Sequence, residues 1–501
     1  MISECSVDVS PVKSVYESET YPTLPSPSAS SDEAEDYISL TPIDQIGEVL
    51  RSAYNRGDFL DAKQRASLWC KILNEKSPIF IDVSAVLLTQ TNQRVIRYDC
   101  ERTRGNISYF RNAEVRQAME ALLTVYCESH SVLYKQGMNE ILAVFAFLKC
   151  SGSLQTWTQV YGMFTKFIDT YCSFMFVDED FAYLQKVCVH YRTLLRYHAP
   201  SLCSKLDGHG IVPELYVTPW FITLFASKMP IEVASIFWDL YLSENDASMF
   251  VFVAVALCIS HFADLKGADK TSLPEIMTKI SMRNEQDVVS IWKKALLIRS
   301  ITPGHLKAEI LSCNSQVCTS LAGKIVPMYV TSADIAKEIR KSNKKMVIID
   351  TRPSRLVDAH GSGEIPGAFQ FDLEVMLKGL KTFPVCETYR RMAEVLGVKV
   401  DENGKIPKWP VDVHICIVGL SDADGIARKL VKKDYTNLFF LSLTRFCNIP
   451  RVSLLKGGYE ALHSESVTFK NHVPTTCLFC RIKRMKICKP PQLVQAKGSL
   501  R

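Results

Sequence analysis

The sequence lacks an apolar stretch long enough to cross a bilayer, for which about 20 consecutive apolar residues are needed. The longest apolar run covers residues 249–259 and predicts a buried core helix instead. The N-terminus has neither the basic residues nor the apolar core that are typical of a secretory signal peptide. We therefore expect a cytosolic protein whose contacts with membranes are peripheral.

A strong net charge is also missing. The chain of 501 residues has a formal net charge of only +6, which does not favour a protein that binds nucleic acid. The charge is unevenly distributed, because residues 1–40 are acidic with Lys13 as their one basic side chain, whereas residues 470–501 contain no Asp or Glu. The two ends of the chain therefore differ from the sequence between them.

A disulfide framework is not expected, although the chain has 17 cysteines. The cysteines are scattered, and most of them lie inside apolar stretches. This pattern is typical of buried thiols in a reducing compartment, whereas disulfide frameworks favour short secreted chains. The sequence also shows no internal repeat.

Residues 43–305 read as helical throughout, without a βαβ alternation. Asn112 is a predicted N-cap, and the apolar residues that follow it recur at helical spacing. Further helices are predicted over residues 161–171, 179–197, 232–242 and 284–298. The residues before this part, 1–42, are rich in Ser, Pro and acidic side chains and predict a disordered acidic tail.

The pattern changes after residue 305, where residues 306–324 predict a linker. In residues 325–465, short apolar runs alternate with helical stretches, which predicts a small α/β domain with a parallel sheet. The predicted strands cover residues 346–350, 413–418, 438–441 and 452–455. The predicted helices cover residues 335–342, 389–396 and 424–433. Residues 466–501 predict a basic C-terminal tail. The expected fold class is thus multidomain, an all-α domain followed by an α/β domain.

Two motifs in the helical part contain polar residues with a possible catalytic role. Residues 96–103 read I-x-x-D-x-x-R-T, and residues 134–139 read Y-x-Q-G-M-N. Three further motifs occur in the same part, R-x-x-x-W at 65–69, P-W-F-x-x-L-F at 219–225 and W-D-x-x-L at 238–242. Together and in this order they resemble the TBC domain, the Rab GTPase-activating fold.

The resemblance implies that Arg102 is an arginine finger and Gln136 a glutamine finger for a partner, a Rab-family small GTPase. GTP hydrolysis spreads negative charge over the phosphoryl oxygens, which an arginine stabilises, while an amide orients the attacking water. The resemblance implies no cofactor or metal of the protein's own, since GTP and Mg²⁺ belong to the partner. The residues expected to support the two fingers are Asp99, Thr103, Tyr134, Gly137 and Asn139.

Structural interpretations of the same residues stay open. Arginines on helical proteins usually lie on a solvated face, Gln136 could satisfy backbone groups, and Asp99 could simply orient Arg102. The chain also departs from the family, because Arg104 and Gly105 stand where an aromatic residue and a proline often follow the R-T pair. We expect the finger loop to lie differently for this reason. Trp220, Phe221 and Trp238 are expected in the core.

Residues 325–465 resemble a rhodanese domain. The resemblance rests on D-x-R at 350–352, G-E-I-P-G-A at 363–368, where Glu364 replaces a histidine, and L-K-G-G at 455–458. An active rhodanese needs a thiolate in the loop after its central strand. Here Gly419 stands at that position, and Cys416 precedes the loop. We therefore expect a scaffold or partner-binding module without the catalytic cysteine.

The C-terminal tail contains a C-x-x-C pair, Cys477 and Cys480. His472 or Cys488 could help to complete a zinc site, but a second pair with comparable spacing is not evident, so no metal site is expected. The basic residues that follow fit three interpretations, a solvated tail, a nucleic-acid patch or peripheral contact with an anionic membrane.

Two functional hypotheses follow. The first is a GTPase-activating protein for a Rab in endosome-to-Golgi vesicle traffic. The second is a non-catalytic adaptor at the trans-Golgi network that uses both folds to bind, with a golgin-type tether as its partner. The domain order resembles a vesicle-tethering branch of TBC proteins. A second branch has a kinase-like domain ahead of the TBC domain, and from the length of residues 1–42 we expect no kinase here.

Overall fold

The computed structural model describes most of the chain between residues 41 and 481. The described ranges are residues 41–73, 80–176, 181–312, 325–341, 346–357, 361–380, 382–399, 409–421, 434–465, 467–477 and 479–481. Residues 1–40 of the predicted acidic tail, the predicted helix at 424–433 and the basic run beyond residue 481 lie outside these ranges.

Helices make up the first part of the described chain, as the sequence predicts. They are α1 (Ile43–Arg56), α2 (Ala62–Leu73), α3 (Gln93–Arg102), α4 (Ser108–Arg111), α5 (Ala113–Ser129), α6 (Met138–Cys150), α7 (Trp157–Phe167), α8 (Ser173–Phe176), α9 (Ala182–His198), α10 (Pro200–Gly208), α11 (Thr218–Ile222), α12 (Ile231–Glu244), α13 (Met249–Ser260), α14 (Phe262–Gly267), α15 (Ser272–Lys279), α16 (Glu285–Ser300) and α17 (Gly304–Leu311).

Local signals in the sequence explain where several of these helices begin. The Asn112 side chain accepts a hydrogen bond from the backbone N–H of Glu114 and caps α5, as predicted. Thr156 and Gln159 form a reciprocal capping box at the start of α7. Helix α13 is apolar on all sides and almost wholly buried, which confirms the predicted core helix. Among the described helices, none is both long and apolar enough to span a membrane.

A buried carboxylate ties the first two helices to α12. Arg65 of α2 donates to both oxygens of Asp239 at 3.0 and 2.9 Å, and Trp69 donates through its indole N–H at 2.8 Å. The Tyr54 hydroxyl donates to the same carboxylate at 2.6 Å. The R-x-x-x-W and W-D-x-x-L motifs therefore meet in one network, and the expected core residues Trp220, Phe221 and Trp238 are all buried.

The second part of the chain contains a parallel sheet, as predicted. Its strands are β1 (Tyr329–Val330), β2 (Met346–Asp350), β3 (Phe369–Gln370), β4 (His414–Val418) and β5 (Val452–Leu455). They pair in the order β1-β5-β4-β2-β3, and all pairs are parallel. The helices of this region are α18 (Ser332–Ile339), α19 (Ser354–Val357), α20 (Leu373–Met376), α21 (Val385–Val395), α22 (Thr436–Leu441) and α23 (Gly458–Leu462).

Apolar side chains cover the sheet on both faces. Ile348 and Cys416 belong to the core cluster on one face, whereas Ile349 and Ile417 belong to the cluster on the other. This two-sided burial explains why β2 and β4 read as continuous apolar runs in the sequence. The order of the strands places β4 in the centre of the sheet.

The structure corrects the prediction of a strand over residues 438–441. These residues belong to α22, with Phe439 and Phe440 buried, and the Asp434 carboxylate accepts the backbone N–H of Thr436 near its start. A run of four apolar residues cannot distinguish a buried strand from one buried helical turn by periodicity. The sequence analysis also missed the two-residue strands β1 and β3, which are too short to show a pattern.

The helical region and the sheet region are in contact. The backbone N–H of Arg451 donates to the carbonyl of Tyr197 at the end of α9 at 2.7 Å. The ring of Tyr197 lies edge-on to that of His414 in β4, with 5.7 Å between their centres. Thr193 donates to the carbonyl of Val326 at 3.0 Å, just before β1. The C-terminal part of α9 is therefore the surface on which the sheet rests.

Candidate functional site

Arg102 and Gln136 both lie at helix ends. Arg102 is the last residue of α3, and Gln136 precedes Gly137, the residue that caps the start of α6. Both side chains are exposed, and that of Arg102 is 61% accessible. A cation and an amide are thus presented on the surface of the helical region.

Asp99 holds the side chain of Arg102 in position. Its carboxylate is buried and forms an ion pair with the Nη2 group of Arg102 one turn along α3. The other carboxylate oxygen accepts the hydroxyl of Tyr134 at 2.8 Å. Because a guanidinium has five N–H donors, the pair with Asp99 leaves donors of Arg102 for another ligand. The aspartate therefore orients the arginine without enclosing it.

Asn139 connects the two segments through its side-chain amide. Its Nδ2 donates to the Thr103 hydroxyl at 2.7 Å, and its Oδ1 accepts the backbone N–H of Gly137 at 3.0 Å. The Tyr134 hydroxyl contacts the same Oδ1 at 3.0 Å. Thr103 follows Arg102 and Gly137 follows Gln136, so one buried amide spans the two backbones next to the exposed side chains.

Tyr134, which lies in the buried part of this network, stays neutral. Burial, reinforced by the hydrogen bond to Asp99, raises the pKa of Tyr134 far above its usual value. The hydroxyl therefore remains a donor at physiological pH. Thr103 is also buried, and its hydroxyl donates to the carbonyl of Asp99 at 2.6 Å. The predicted finger and supporting residues are thus brought together in one place.

Gly137 has a backbone conformation that suits glycine. Its φ is +117°, a region that side chains rarely adopt. A Cβ at this position would also lie 3.3 Å from the side chain of Ile222, which belongs to α11 and to the P-W-F motif. The P-W-F-x-x-L-F motif therefore packs against the loop that carries Gln136.

Arg104, which in the sequence is only a departure from the family, has a role in the structure that was not predicted. Arg104 pairs with Glu140 at 2.9 Å and donates to the backbone carbonyls of Met229, at 2.6 Å, and Ala226. Its own φ of +50° turns the loop after α3. Arg104 thus anchors this loop, and no sequence motif signals the anchor, because two of its three partners are main-chain carbonyls.

A second residue whose role was not predicted is Asn92, which occupies the N-cap position of α3. Its side-chain amide donates to the carbonyl of Tyr134 at 2.8 Å. Both ends of α3 are therefore tied to the segment that carries Gln136. An asparagine before a helix is common, and nothing near Asn92 in the sequence indicates this long-range contact.

The loop after the central strand β4 contains no nucleophile at residue 419. A Cβ on Gly419 would lie 2.7 Å from the hydroxyl oxygen of Thr436 and 3.0 Å from its methyl carbon. Cys416, which precedes the loop, is fully buried, and burial raises the pKa of its thiol to about 12. The residues from 422 to 433 that follow lie outside the described ranges. The described part of this loop, residues 419–421, therefore offers no thiol, and the inactivity of the region stays a prediction.

The D-x-R motif forms a closed ion pair. Arg352 donates to Asp350 at 2.6 Å, and its guanidinium carbon lies 3.5 Å from the centre of the Tyr459 ring. Further donors of Arg352 reach the Ser362 hydroxyl at 3.2 Å and the Gly363 carbonyl at 2.9 Å. These contacts account for the motif as a structural element that joins the end of β2 to the L-K-G-G segment.

Comparisons with known proteins match the helical region. The Rab-GTPase-TBC domain family model matches residues 63–265. A stretch of 137 residues is 34% identical to the TBC domain-containing protein kinase-like protein of Dictyostelium discoideum, covering 27% of this chain and 13% of that protein. Over 362 residues the chain is 23% identical to the protein of the same name from Mus musculus, covering 62% of this chain and 40% of that protein.

Among solved structures, the Ypt/Rab-GAP domain of Gyp1p is similar at 15% identity, with a TM-score of 0.39 over 53% of this chain and 90% of that chain. The matches span less than half the length of the two curated relatives. The family match includes both segments of the Arg102 and Gln136 network. Residues 63–265 of the helical region therefore resemble a Rab-GTPase-TBC domain.

Proposed function

We propose that this protein accelerates GTP hydrolysis by a Rab-family small GTPase, with Arg102 and Gln136 entering the partner's nucleotide site. The observation that carries the proposal is the exposure of both side chains above one buried network. A finger must be free to reach a second protein and yet be held in position before it arrives. The network built on Asp99 and Asn139 meets both requirements.

The arrangement suits the electrostatics of phosphoryl transfer. Arg102 supplies a delocalised cation with a planar set of donors, which matches phosphate oxygens better than a lysine would. The amide of Gln136 can donate and accept, as needed to orient a water molecule. Since the donors are positioned before the reaction, little reorganisation is needed when charge develops on the phosphoryl group.

The test is single-turnover GTP hydrolysis across a panel of Rab proteins. The wild-type chain should stimulate at least one of them. Arg102→Ala should lower the stimulated rate by about 10³–10⁵-fold. Arg102→Lys should also fail, because an ammonium lacks the planar fork. Gln136→Ala should lower the rate with the binding of the Rab retained.

The matched control is Arg94→Ala on the same helix. Arg94 is exposed and lies eight residues before Arg102, which is about 12 Å along the helix axis. This variant should retain full stimulation. Full activity of Arg102→Ala, or equal losses in the two arginine variants, would refute the finger assignment.

A second function is favoured by Gly419, where a Cβ would lie 2.7 Å from the Thr436 hydroxyl oxygen. Because the sheet region presents no nucleophile at that position, we infer that it binds a partner rather than transferring sulfur. The accompanying proposal is an adaptor at the trans-Golgi network, in endosome-to-Golgi traffic, with a golgin-type coiled coil as its partner and peripheral contact with an anionic membrane. Neither of the two curated relatives described above belongs by name to the vesicle-tethering branch, so this pathway rests on the domain order alone.

Pull-down of purified golgin-type coiled coils by the full chain tests the adaptor. Binding that survives Arg102→Ala and is lost when the sheet region is disrupted would support it. If no coiled coil binds while Rab stimulation is retained, the adaptor proposal fails and the activator proposal stands.

A further inference from the structure

Four side chains of the types that can bind a metal ion lie close together in the sheet region. They are His463, which follows α23, and His472, Cys477 and Cys480 in the C-terminal segment. One ligand atom from each lies within 4.8 Å of the other three. Cys477 is fully buried and the other three are half-buried. Within the described ranges, this is the group of such side chains that is close enough to share one metal ion.

Four of the six distances between these atoms are close to those of a tetrahedral site. The two Nε2 atoms of His463 and His472 are 3.3 Å apart. The Cys477 sulfur lies 3.4 Å from the Nε2 of His463, and the Cys480 sulfur lies 3.6 and 3.5 Å from the two Nε2 atoms. Tetrahedral zinc, with bonds of about 2.0–2.1 Å to nitrogen and 2.3 Å to sulfur, requires separations of about 3.3 Å between nitrogens and 3.6 Å between nitrogen and sulfur.

We propose that His463, His472, Cys477 and Cys480 bind one structural Zn²⁺ ion. Two thiolates and two imidazoles form the Cys₂His₂ set that zinc prefers, and the two thiolate charges balance that of the ion. Four protein ligands complete the coordination, so the site is closed and its role is structural. The sequence prediction of no metal site is replaced by this proposal.

The site would fasten the C-terminal segment across the sheet region. The backbone of this segment pairs with the G-E-I-P-G-A loop through Glu364 and Lys470, at 2.9 and 3.1 Å, and through Val473 and Gly361 at 3.0 Å. Its Phe469 and Phe479 rings lie about 5 Å from the Tyr459 ring, at 5.1 and 5.0 Å. These few contacts hold a short segment, and a metal would cross-link it to α23.

Tyr459 extends the effect of the metal to the D-x-R pair. Its ring lies between the C-terminal segment and Arg352, with the guanidinium carbon 3.5 Å from the ring centre. Its hydroxyl donates to the carbonyl of Ser362. Release of the metal should therefore loosen the segment first and then uncover Tyr459 and Arg352.

In the sequence, the C-x-x-C pair supplies two of the four proposed ligands. The missing half is not a second pair of comparable spacing, because His463 lies 14 residues before Cys477, directly after α23. Only the fold brings His463 to the cysteines. Cys488, the other candidate considered from the sequence, lies outside the described ranges.

The first experiment measures metal in the full chain purified without added metal. Mass spectrometry of the elements should find about one zinc per chain, and Cys480→Ser should reduce this to less than about a tenth. The matched control is Cys386→Ser, which changes an exposed cysteine far from the cluster in sequence and should leave the zinc in place. Replacement by Co²⁺ should give the visible bands of a tetrahedral site with thiolate charge transfer.

A second experiment uses the unchanged protein, in case the variants do not fold. In the native chain, an alkylating reagent should modify the exposed Cys150 and Cys386 but not Cys477 or Cys480, and a zinc chelator should expose the latter two to the reagent. Absence of metal from the native chain, a disulfide between Cys477 and Cys480, or full zinc content after both are changed to Ser would each overturn the proposal.

Discussion

The two regions of this molecule use the same pair of residues in opposite ways. In the helical region, Asp99 is buried and pairs with Arg102, whose side chain is 61% exposed. In the sheet region, Asp350 pairs with Arg352, whose side chain is 0% exposed. Both pairs lie at the end of a regular element and both belong to a recognisable motif. What differs is the surroundings of the arginine.

The surroundings decide what each arginine can do. Around Arg352, Ser362 and Gly363 accept two further donors and the face of Tyr459 covers the guanidinium, so the fully buried cation is closed to a ligand from outside. Around Arg102, the buried partners stop at Asp99, and the guanidinium faces solvent. An arginine in a motif is therefore a structural or a functional residue according to how many of its donors the fold itself satisfies.

The largest expected loss of stability is that of Arg352→Ala. This change leaves the Asp350 carboxylate buried without its cation, which should cost about 3–5 kcal/mol of unfolding free energy. Hydrogen exchange of peptides from β2 and β4 measures it. The control is Arg355→Ala, in which a half-exposed pair with Glu374 is lost at a cost of about 1 kcal/mol or less. Equal protection in both variants would contradict the structural role.

Acidification should weaken both regions through one buried histidine in each. Burial lowers the pKa of His190 in α9 to about 4, and that of His414 in β4 also to about 4. Their pKa in the unfolded chain is near 6.5, so the unfolded state binds the proton first as the pH falls. The stability is complete above pH 6.5 and is lost below it, by about 2 kcal/mol per histidine at pH 5.

Urea unfolding at pH 7.5 and at pH 5 measures this loss. His414→Gln should reduce the pH dependence for the sheet region, and His190→Gln should reduce it for the helical region, where His198, whose pKa burial lowers to about 3, also contributes. The same unfolding free energy at both pH values in the unchanged protein would show that the two histidines do not stay neutral on folding.

Asn139→Ala should affect both stability and the proposed activity. It leaves the Thr103 hydroxyl and the Gly137 N–H without a shared partner, at a cost of about 1–3 kcal/mol. Because the two segments lose their bridge, the stimulated GTP hydrolysis rate should fall by about 10²-fold while the Rab still binds. Single-turnover kinetics with titrated protein separate the two effects. A loss of binding with an unchanged maximal rate would contradict the positioning role.

Arg102→Ala should have the smallest effect on stability, about 1 kcal/mol or less, because the pair is open to solvent on the arginine side. Thermal or urea unfolding of the helical region measures it beside Arg352→Ala. A loss as large as that of Arg352→Ala would mean that the two pairs play the same part and that the difference drawn from their exposure is wrong.

The sequence predicts the long elements well in this chain. Helix α13 and strands β2 and β4 each have an apolar pattern long enough to identify them, whereas β5 was identified from only four residues. The roles of Arg102 and Gln136 stay predictions from the motifs. The strand that was wrongly predicted at residues 438–441 also rests on four apolar residues. Over so short a run, periodicity does not distinguish a buried strand from a buried helical turn.

The parts that the sequence does not predict depend on distant contacts. The anchor of Arg104 consists mainly of main-chain carbonyls more than 100 residues away, which no residue pattern records. The approach of His463 to Cys477 likewise depends on how the chain turns back after α23. In both cases the identity of the residue is visible in the sequence, and its partner is not.

The contacts around α9 bear on how the protein should be divided for experiments. A fragment cut to the matched residues 63–265 would lose Tyr54, which donates to Asp239, and the helices that follow residue 265. A fragment ending at residue 312 would still uncover Tyr197 and Thr193, which the sheet region covers. Poor solubility of such pieces would then reflect a newly exposed surface, so assays of the arginine and the amide should begin with the undivided chain.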